Sequence, residues 1–452
     1  MNELNLFNKT EINKPEKPTL REYQQEAVDA GLSVDNGLLV LPTGSGKSHV
    51  IAELVNRTPG KSIILQPTKE ILESNLEKVL NAGLRDVAVY SASMGRKEIS
   101  RITYATIGSI IKIKQHLTDI ELLIIDEAHL TNAQGGMYLD FIESLKPKRI
   151  IGLTATPYRL HSNSWGSFIR VLTRTRPKIW KDIVHVTQSR DLIEQGFLVE
   201  PHFVVSGKDT QNLLRANSTG AEFSDDSKRR YMEKTDLLER IVFEIMHAIM
   251  TQSKHILVFV DSLKANEYIC RKLSQKGVSV SCVEGGTPKQ HREERLRDFK
   301  TGKIRVMVNV GVLTTGYDFP ALDCIIGGRP TMSLALYYQM IGRCVRPHPD
   351  KSRTVVYDLV NNYEKFGNPF DMMVIKGSTG LHSVLSSKGR LTGKCIEDES
   401  EIYQSPGGKG KFSRTPLKDI PSDFMEWFLE NSKKNGKWHM FDAELIRREI
   451  FS

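Results

Sequence analysis

Cysteine is scarce in this chain. There are five in 452 residues (Cys270, Cys282, Cys324, Cys344 and Cys395), and no two form a C-x-x-C pair. That leaves no zinc ribbon, and scattered single thiols fit buried side chains in a reducing compartment. No apolar run approaches the roughly 20 residues of a membrane-spanning helix, which argues against a membrane partner. The opening Met-Asn-Glu-Leu-Asn-Leu-Phe-Asn has neither the basic stretch nor the apolar core of a secretory leader, so the expected location is the cytoplasm. What is present is ordinary for a globular protein, with 39% hydrophobic and 26% charged residues. The length allows two or three domains. The formal net charge of +9 favours a polyanionic partner without establishing one.

Two short runs carry most of the chemistry. In Leu41-Pro-Thr-Gly-Ser-Gly-Lys-Ser48, Gly44 and Gly46 permit a tight turn whose backbone N–H groups face an anion. Lys47 brings a point charge for β- and γ-phosphates, and Ser48 a hydroxyl for Mg2+. In Asp126-Glu-Ala-His129, two carboxylates follow the apolar run Leu122–Ile125, at the carboxyl end of a buried parallel strand, where open α/β sheets bind ligands. Asp126 suits a metal held through water, and Glu127 suits the orienting and deprotonation of an attacking water. In this order, the two runs point to binding and hydrolysis of a nucleoside triphosphate, with ATP and Mg2+ as cofactors.

Strand-like and helix-like segments alternate twice, around a first set (37–41, 61–65, 101–105, 122–125 and 149–153) and a second (255–260, 278–282, 304–309, 324–327 and 354–359). Such alternation predicts parallel sheets with crossover helices. Helices are expected over 237–250, 265–272, 294–300 and 334–341. The polar stretch 206–235 reads as an insertion or linker. The stretch 161–181, with Trp165, Arg170, Arg174, Arg176, Lys178 and Trp180, reads either as a contact to duplex or fork or as an irregular connection with solvated charges. In Gln339-Met-Ile-Gly-Arg343-Cys-Val-Arg346, two arginines three apart share one helical face, a spacing suited to phosphate oxygens.

Taken in order, these segments resemble the motifs of superfamily-2 helicases and translocases. The chain is identified as DEAH-type from Asp126–His129. The other resembling segments are Leu20–Gln24, Leu41–Ser48, Gln66–Glu70, Tyr104–Ser109, Gly152–Pro157, Val258–Ser262, Leu313–Pro320 and Gln339–Arg346. One departure is Leu41, where many phosphate loops begin with Gly or Ala. Asp191–Pro201 and Asp358–Gly367 further resemble the RadD, UvsW and type III restriction translocase group, and the modest length resembles branch-migration helicases of large tailed phages.

The resemblance implies an α/β fold of two tandem RecA-like domains plus a small, mostly helical C-terminal module. The expected boundaries are a flexible arm at 1–18, domain 1 at 19–200, domain 2 at 201–367, a linker at 368–407 and the module at 408–452. It implies a nucleotide site from Arg21, Gln24 (on the base edge), Pro42, Thr43, Gly44, Ser45, Gly46, Lys47, Ser48, Gly316 and Asp318, with Ser48 and Asp126 at the metal. Catalysis falls to Lys47, Glu127, Gln339, Arg343 and Arg346, the arginines acting as fingers from the second domain. Coupling falls to His129, Thr154 and Thr156. Pro67, Thr68, Thr106, Thr314 and Thr315 are expected on nucleic acid. In the tail, Lys409, Lys411 and Arg414 lie near Phe412, Phe424 and Trp427, and basic residues among aromatics suit a phosphate track. The implied partner is DNA, branched at forks or junctions, and the chain is expected to act as a monomer. An RNA helicase and a motor subunit of a restriction-type nuclease complex are the competing readings, although no nuclease motif is visible.

Overall fold

The computed structural model describes residues 19–81, 83–163, 166–175, 177–207, 211–313, 318–377, 380, 382–387 and 389–390, together with Met425 and Leu429. Apolar runs too continuous for a one-faced strand become the inner strands of two separate sheets. The first contains β1 (Asn36–Val40), β2 (Lys61–Gln66), β3 (Val87–Ser91), β4 (Arg96–Lys97), β5 (Ile102–Thr106), β6 (Ile120–Asp126) and β7 (Arg149–Thr154). A hairpin of β8 (Tyr158–Asn163) and β9 (Gly166–Val171) follows, and β10 (Ile183–Val186) returns to the sheet edge. The order is β10-β1-β7-β6-β2-β5-β3-β4, parallel throughout except for β4 against β3.

The second sheet contains β11 (Pro201–Val205), β12 (Ile256–Val260), β13 (Val280–Val283), β14 (Val306–Val310), β15 (Cys324–Gly327) and β16 (Thr354–Asp358), in the all-parallel order β11-β16-β15-β12-β14-β13. Residues on both faces of the central strands are buried, as in β12, where all five are.

Helices Glu22–Leu32, Lys47–Asn56 and Lys69–Asn81 close one face of the first sheet through Ala27, Val28, Ile51, Leu54 and Leu72. Helices Leu237–Met250 and Leu263–Gln275 cover one face of the second through Ile241, Ile245, Ile269 and Leu273. A third apolar cluster is continuous across both domains, joining Leu38, Ile63 and Ile125 with Phe259, Met307 and Tyr338. Each sheet thus has its own helical cover, and the remaining faces are packed into one shared core.

Three stretches resolve or differ from expectation. The polar segment 206–235 holds the helix Asp225–Lys234, capped by Ser224, and Glu222 accepts from the Thr331 hydroxyl and Met332 N–H. Of the two readings of this stretch, its described residues bear out the insertion, and Glu222 satisfies a loop of domain 2. Within the expected linker 368–407, Met373–Lys376, His382–Ser386 and Gly389–Arg390 form a three-stranded antiparallel meander. It sits on domain 1: Gln188 exchanges both amide atoms with the Val374 backbone, and Lys376 and His382 flank Asp182. The stretch 161–181 is the hairpin and its exit. Trp180 is 1% exposed and donates from Nε1 to Thr131 Oγ1 at 3.0 Å, so this indole belongs to the core and offers no surface to a fork. Trp165 and Arg176, and the tail residues Phe412, Phe424 and Trp427, lie outside the described residues. No helix among the described residues is long and apolar enough to cross a membrane.

Candidate active site

Because β1, β7 and β6 are neighbours, the loops that leave their carboxyl ends lie side by side. They carry Leu41–Ser48, Thr154–Thr156 and Asp126–His129, far apart in sequence, and the ladder sets their alignment: Val40 pairs with Thr154, and Leu153 with Asp126. Leu41 N–H donates to Thr154 O at 3.0 Å, clamping the first loop to the second. Leu41 itself is fully buried, so the departure at this position is absorbed by the core.

The loop wraps the start of helix Lys47–Asn56. Gly44 and Gly46 have φ of +87° and +81°, a region that costs an L-residue about 1–2 kcal/mol. A side chain would also displace neighbours: a Cβ at Gly46 would lie 2.5 Å from Gln24 Nε2, and one at Gly44 2.9 Å from Leu198 Cδ2, so each of these side-chain ends would have to shift. Ser45 N–H donates to Pro42 O, which also receives Lys47 Nζ at 3.4 Å, while Leu41 O receives it at 3.3 Å. Thr43 is buried under Gly342 of the second domain, whose Cβ position lies 2.9 Å from its side chain. Gln24 is turned onto the loop: Nε2 donates to Ser45 O at 2.8 Å and Oε1 accepts from Arg21 N–H at 3.0 Å. One end of its amide thus braces the loop, and the other caps the start of its own helix. Tyr23 also donates to Ser45 O, and the Arg21 guanidinium stacks 3.9 Å from the Phe197 ring centroid.

Asp126 is buried. Its Oδ1 accepts from Glu127 N–H at 2.9 Å, and burial followed by the charge of Glu127 pushes its carboxyl up. Burial acts the same way on Glu127, but Lys47, the His129 ring and Arg343 outweigh it and hold that carboxyl well below the usual range. Glu127 is therefore an ionised acceptor at neutral pH, suited to orienting a water. Its φ of +51° is uncommon for a residue with a side chain.

Domain 2 closes the cleft with the helix Leu334–Ile341 and the turn after it. Gln339 Nε2 lies 3.2 Å from His129 Nε2. An amide nitrogen can only donate, so Nε2 accepts and Nδ1 carries the proton, facing Thr154 Oγ1 at 3.1 Å and Glu127 Oε2 at 3.3 Å. Thr154 Oγ1 in turn accepts from Thr156 N–H. Arg343 and Arg346 line the cleft opposite the phosphate loop, and Arg346 pairs with Asp318. Burial pushes both guanidinium groups down to about 10, Glu127 opposing this at Arg343, so both stay cationic at neutral pH.

The cleft is a cavity of about 280 Å3, lined by Gly44, Lys47, Ser48, Asp126 and Glu127 on one side and Asp318, Arg343 and Arg346 on the other. These residues fit a magnesium nucleoside triphosphate: two glycines at positive φ turn the loop, and a helix N-terminus brings backbone donors. A hydroxyl and a carboxylate suit Mg2+, which is usually held by one or two protein oxygens plus phosphates and water. Accordingly, no cluster of three or more His, Cys, Asp or Glu residues suited to a metal occurs among the described residues.

The expected nucleic-acid residues of domain 1 share one ledge. Gln66 at the end of β2 pairs with Thr106 at the end of β5, so Pro67, Thr68 and Thr106 emerge together. Thr68 Oγ1 accepts from Ile71 N–H, and Thr106 Oγ1 lies 3.0 Å from Ser109 Oγ. Thr314, Thr315, Gly316, Lys409, Lys411 and Arg414 lie outside the described residues.

Sequence reasoning missed Asn75 and Lys78, which reach Ser48 from helix Lys69–Asn81, because an Asn and a Lys inside an amphipathic helix read as solvent-facing. It also missed how Phe197 and Leu198 seal the loop's flank. No local pattern signals this, because it depends on how the turn after the helix Ser189–Glu194 is docked, with Val199 N–H donating to Val345 O at 2.7 Å.

Residues 17–159 match the family model described as type III restriction enzyme, res subunit, and residues 233–348 match the helicase conserved C-terminal domain. Together these take in more than half of the chain, in the order of the two halves of the site. The chain belongs to the superfamily-2 helicase family. It is 29% identical over 376 residues to a putative ATP-dependent helicase IRC3 of Saccharomyces cerevisiae, covering 76% of this chain and 52% of that one. It is 26% identical over 359 residues to the DNA 3'-5' translocase XPB2 of Sulfurisphaera tokodaii, covering 73% and 79%. The fold is similar to that of a putative HsdR subunit of a type I restriction enzyme from Vibrio vulnificus, with a TM-score of 0.58, 20% identity, and coverage of 80% and 69%. The chain spans about half the length of the yeast relative.

Proposed function

We propose that this protein is an ATP-dependent DNA helicase or translocase that unwinds or branch-migrates forked and junction DNA. The observation that supports this best is the bipartite site: Lys47 and Glu127 on one domain meet Arg343 and Arg346 of the other across one cleft. The His129–Gln339 contact ties the catalytic carboxylate to that closure. Hydrolysis needs charge neutralised on the transferred phosphoryl group and a water held in line. Lys47 and the two arginines supply charge and Glu127 holds the water; Ser48 and Asp126 would hold a Mg2+ ion, which would add further charge neutralisation. Such a cleft is complete only when the domains close, and hydrolysis allows it to open. With both domains on one strand, each cycle becomes a step.

The choice of DNA rests on the net positive charge, the Thr68–Thr106 ledge and the likeness to a protein named as a DNA translocase. Contacts of that kind meet phosphates, so translocation should tolerate many sequences. The decisive comparison is ATP turnover stimulated by forked DNA, linear duplex and single-stranded RNA. Stimulation by RNA alone would overturn the reading. The match to a restriction-enzyme subunit model favours a second reading, a motor within a nuclease complex, which copurification with a nuclease would support.

A further inference from the structure

We propose that Asn75 is a positioning residue for the magnesium ion, orienting both protein oxygens that hold it; this rests on the nucleotide-site reading above. Asn75 is 6% exposed and lies on the second turn of helix Lys69–Asn81, aimed into the cleft. Its Oδ1 accepts from Ser48 Oγ at 2.6 Å, and its Nδ2 donates to Asp126 Oδ2 at 3.3 Å. One planar amide thus bridges the two side chains that must converge on one cation.

The direction of each bond matters. An amide oxygen only accepts, so the Ser48 hydrogen points at Asn75, and the hydroxyl lone pairs are left for other partners. A serine whose hydrogen faced the cleft would oppose a cation. The amide nitrogen only donates, so it fixes the rotation of the Asp126 carboxylate, whose Oδ1 accepts from Glu127 N–H. The amide cannot be flipped, because that would set its oxygen against the Asp126 carboxylate. Lys78, one turn further along the helix, donates to Ser48 Oγ at 3.3 Å, and its charge lies near Asp126. Neither Asn75 nor Lys78 would touch the reacting atoms. Outer partners of this kind typically change metal affinity by about 10–100-fold when removed.

The test measures binding of a fluorescent ADP to the full-length protein as Mg2+ is titrated, and again in EDTA, for wild type and Asn75→Leu, which keeps the branched shape but loses both hydrogen bonds. The Mg2+ concentration at half-saturation should rise at least about tenfold in the variant, with the affinity in EDTA unchanged. A thermal melt checks folding, and Asn75→Ser serves if the leucine variant does not fold. An unchanged Mg2+ requirement would overturn the proposal, as would a parallel loss of affinity with and without metal, which marks a merely structural residue. A wild type that binds no ADP under any condition would instead sink the nucleotide-site reading itself.

Discussion

Gln339→Ala isolates the link between the domains. Gln339 is buried, and its amide gives a hydrogen bond from domain 2 to His129, at 3.2 Å. Removing the donor leaves His129 Nε2 a buried acceptor without a partner, at a cost of about 1–3 kcal/mol. That cost falls only on the closed arrangement, since in an opened cleft water reaches the ring. The closed-to-open ratio should therefore fall by about 5- to 150-fold. If hydrolysis requires closure, DNA-stimulated kcat should drop by a comparable factor. Nucleotide affinity should change far less, because the phosphate loop and its bracing by Gln24 and Tyr23 lie wholly within domain 1. The assay pairs steady-state ATPase with energy transfer between dyes at the exposed positions Lys148 and Lys303, one on each domain. A double-mutant cycle with His129→Ala should show strong non-additivity. Unchanged kcat and unchanged energy transfer, or fully additive losses, would refute the reasoning.

Gly46→Ala should weaken nucleotide binding at least about tenfold with circular dichroism intact, because its Cβ meets Gln24 and its φ is left-handed; fluorescent-nucleotide titration checks this. Trp180→Ala should destabilise the protein by about 3–5 kcal/mol in urea unfolding, with fork affinity unaffected in the folded protein. Lys351, donating to Leu322 O and Cys344 O, is pushed down to about 8 by burial. Its folded-state value lies below the unfolded 10.5, so the charged form is disfavoured in the native state. The resulting penalty is full below pH 8 and is relieved as pH rises towards 10.5. Relative to Lys351→Met, wild-type stability should therefore rise over that window by an amount of order 1 kcal/mol after solvent screening; parallel stability profiles would contradict this.

What could be read from the sequence follows from how locally each feature is determined. The helices 237–250 and 334–341 match the expected bounds residue for residue: the first carries an apolar stripe with Leu237, Ile241, Ile245 and Ala248 buried, and the second is capped by Ser333 and apolar over most of its surface. The inner strands were legible because burial on both faces makes them continuously apolar. The phosphate loop was legible because glycine, lysine and serine have few alternatives there. The hairpin β8–β9, the edge strand β10 and the meander at 373–390 were not, because their residues are mixed and their partners lie far away, as with Gln188 and Val374. Asn75 was illegible for a related reason: its role depends on helix 69–81 being laid across the mouth of β1 and β6, which no local pattern encodes.

ATP turnover by wild type and Lys47→Ala, each with and without forked DNA, is the most direct measurement of the central claim that the two domains form one ATP-driven motor site. Turnover should be stimulated by the fork in wild type and abolished in the variant, while the variant still binds DNA. Undiminished turnover in Lys47→Ala, or a wild type whose turnover ignores the fork, would contradict it.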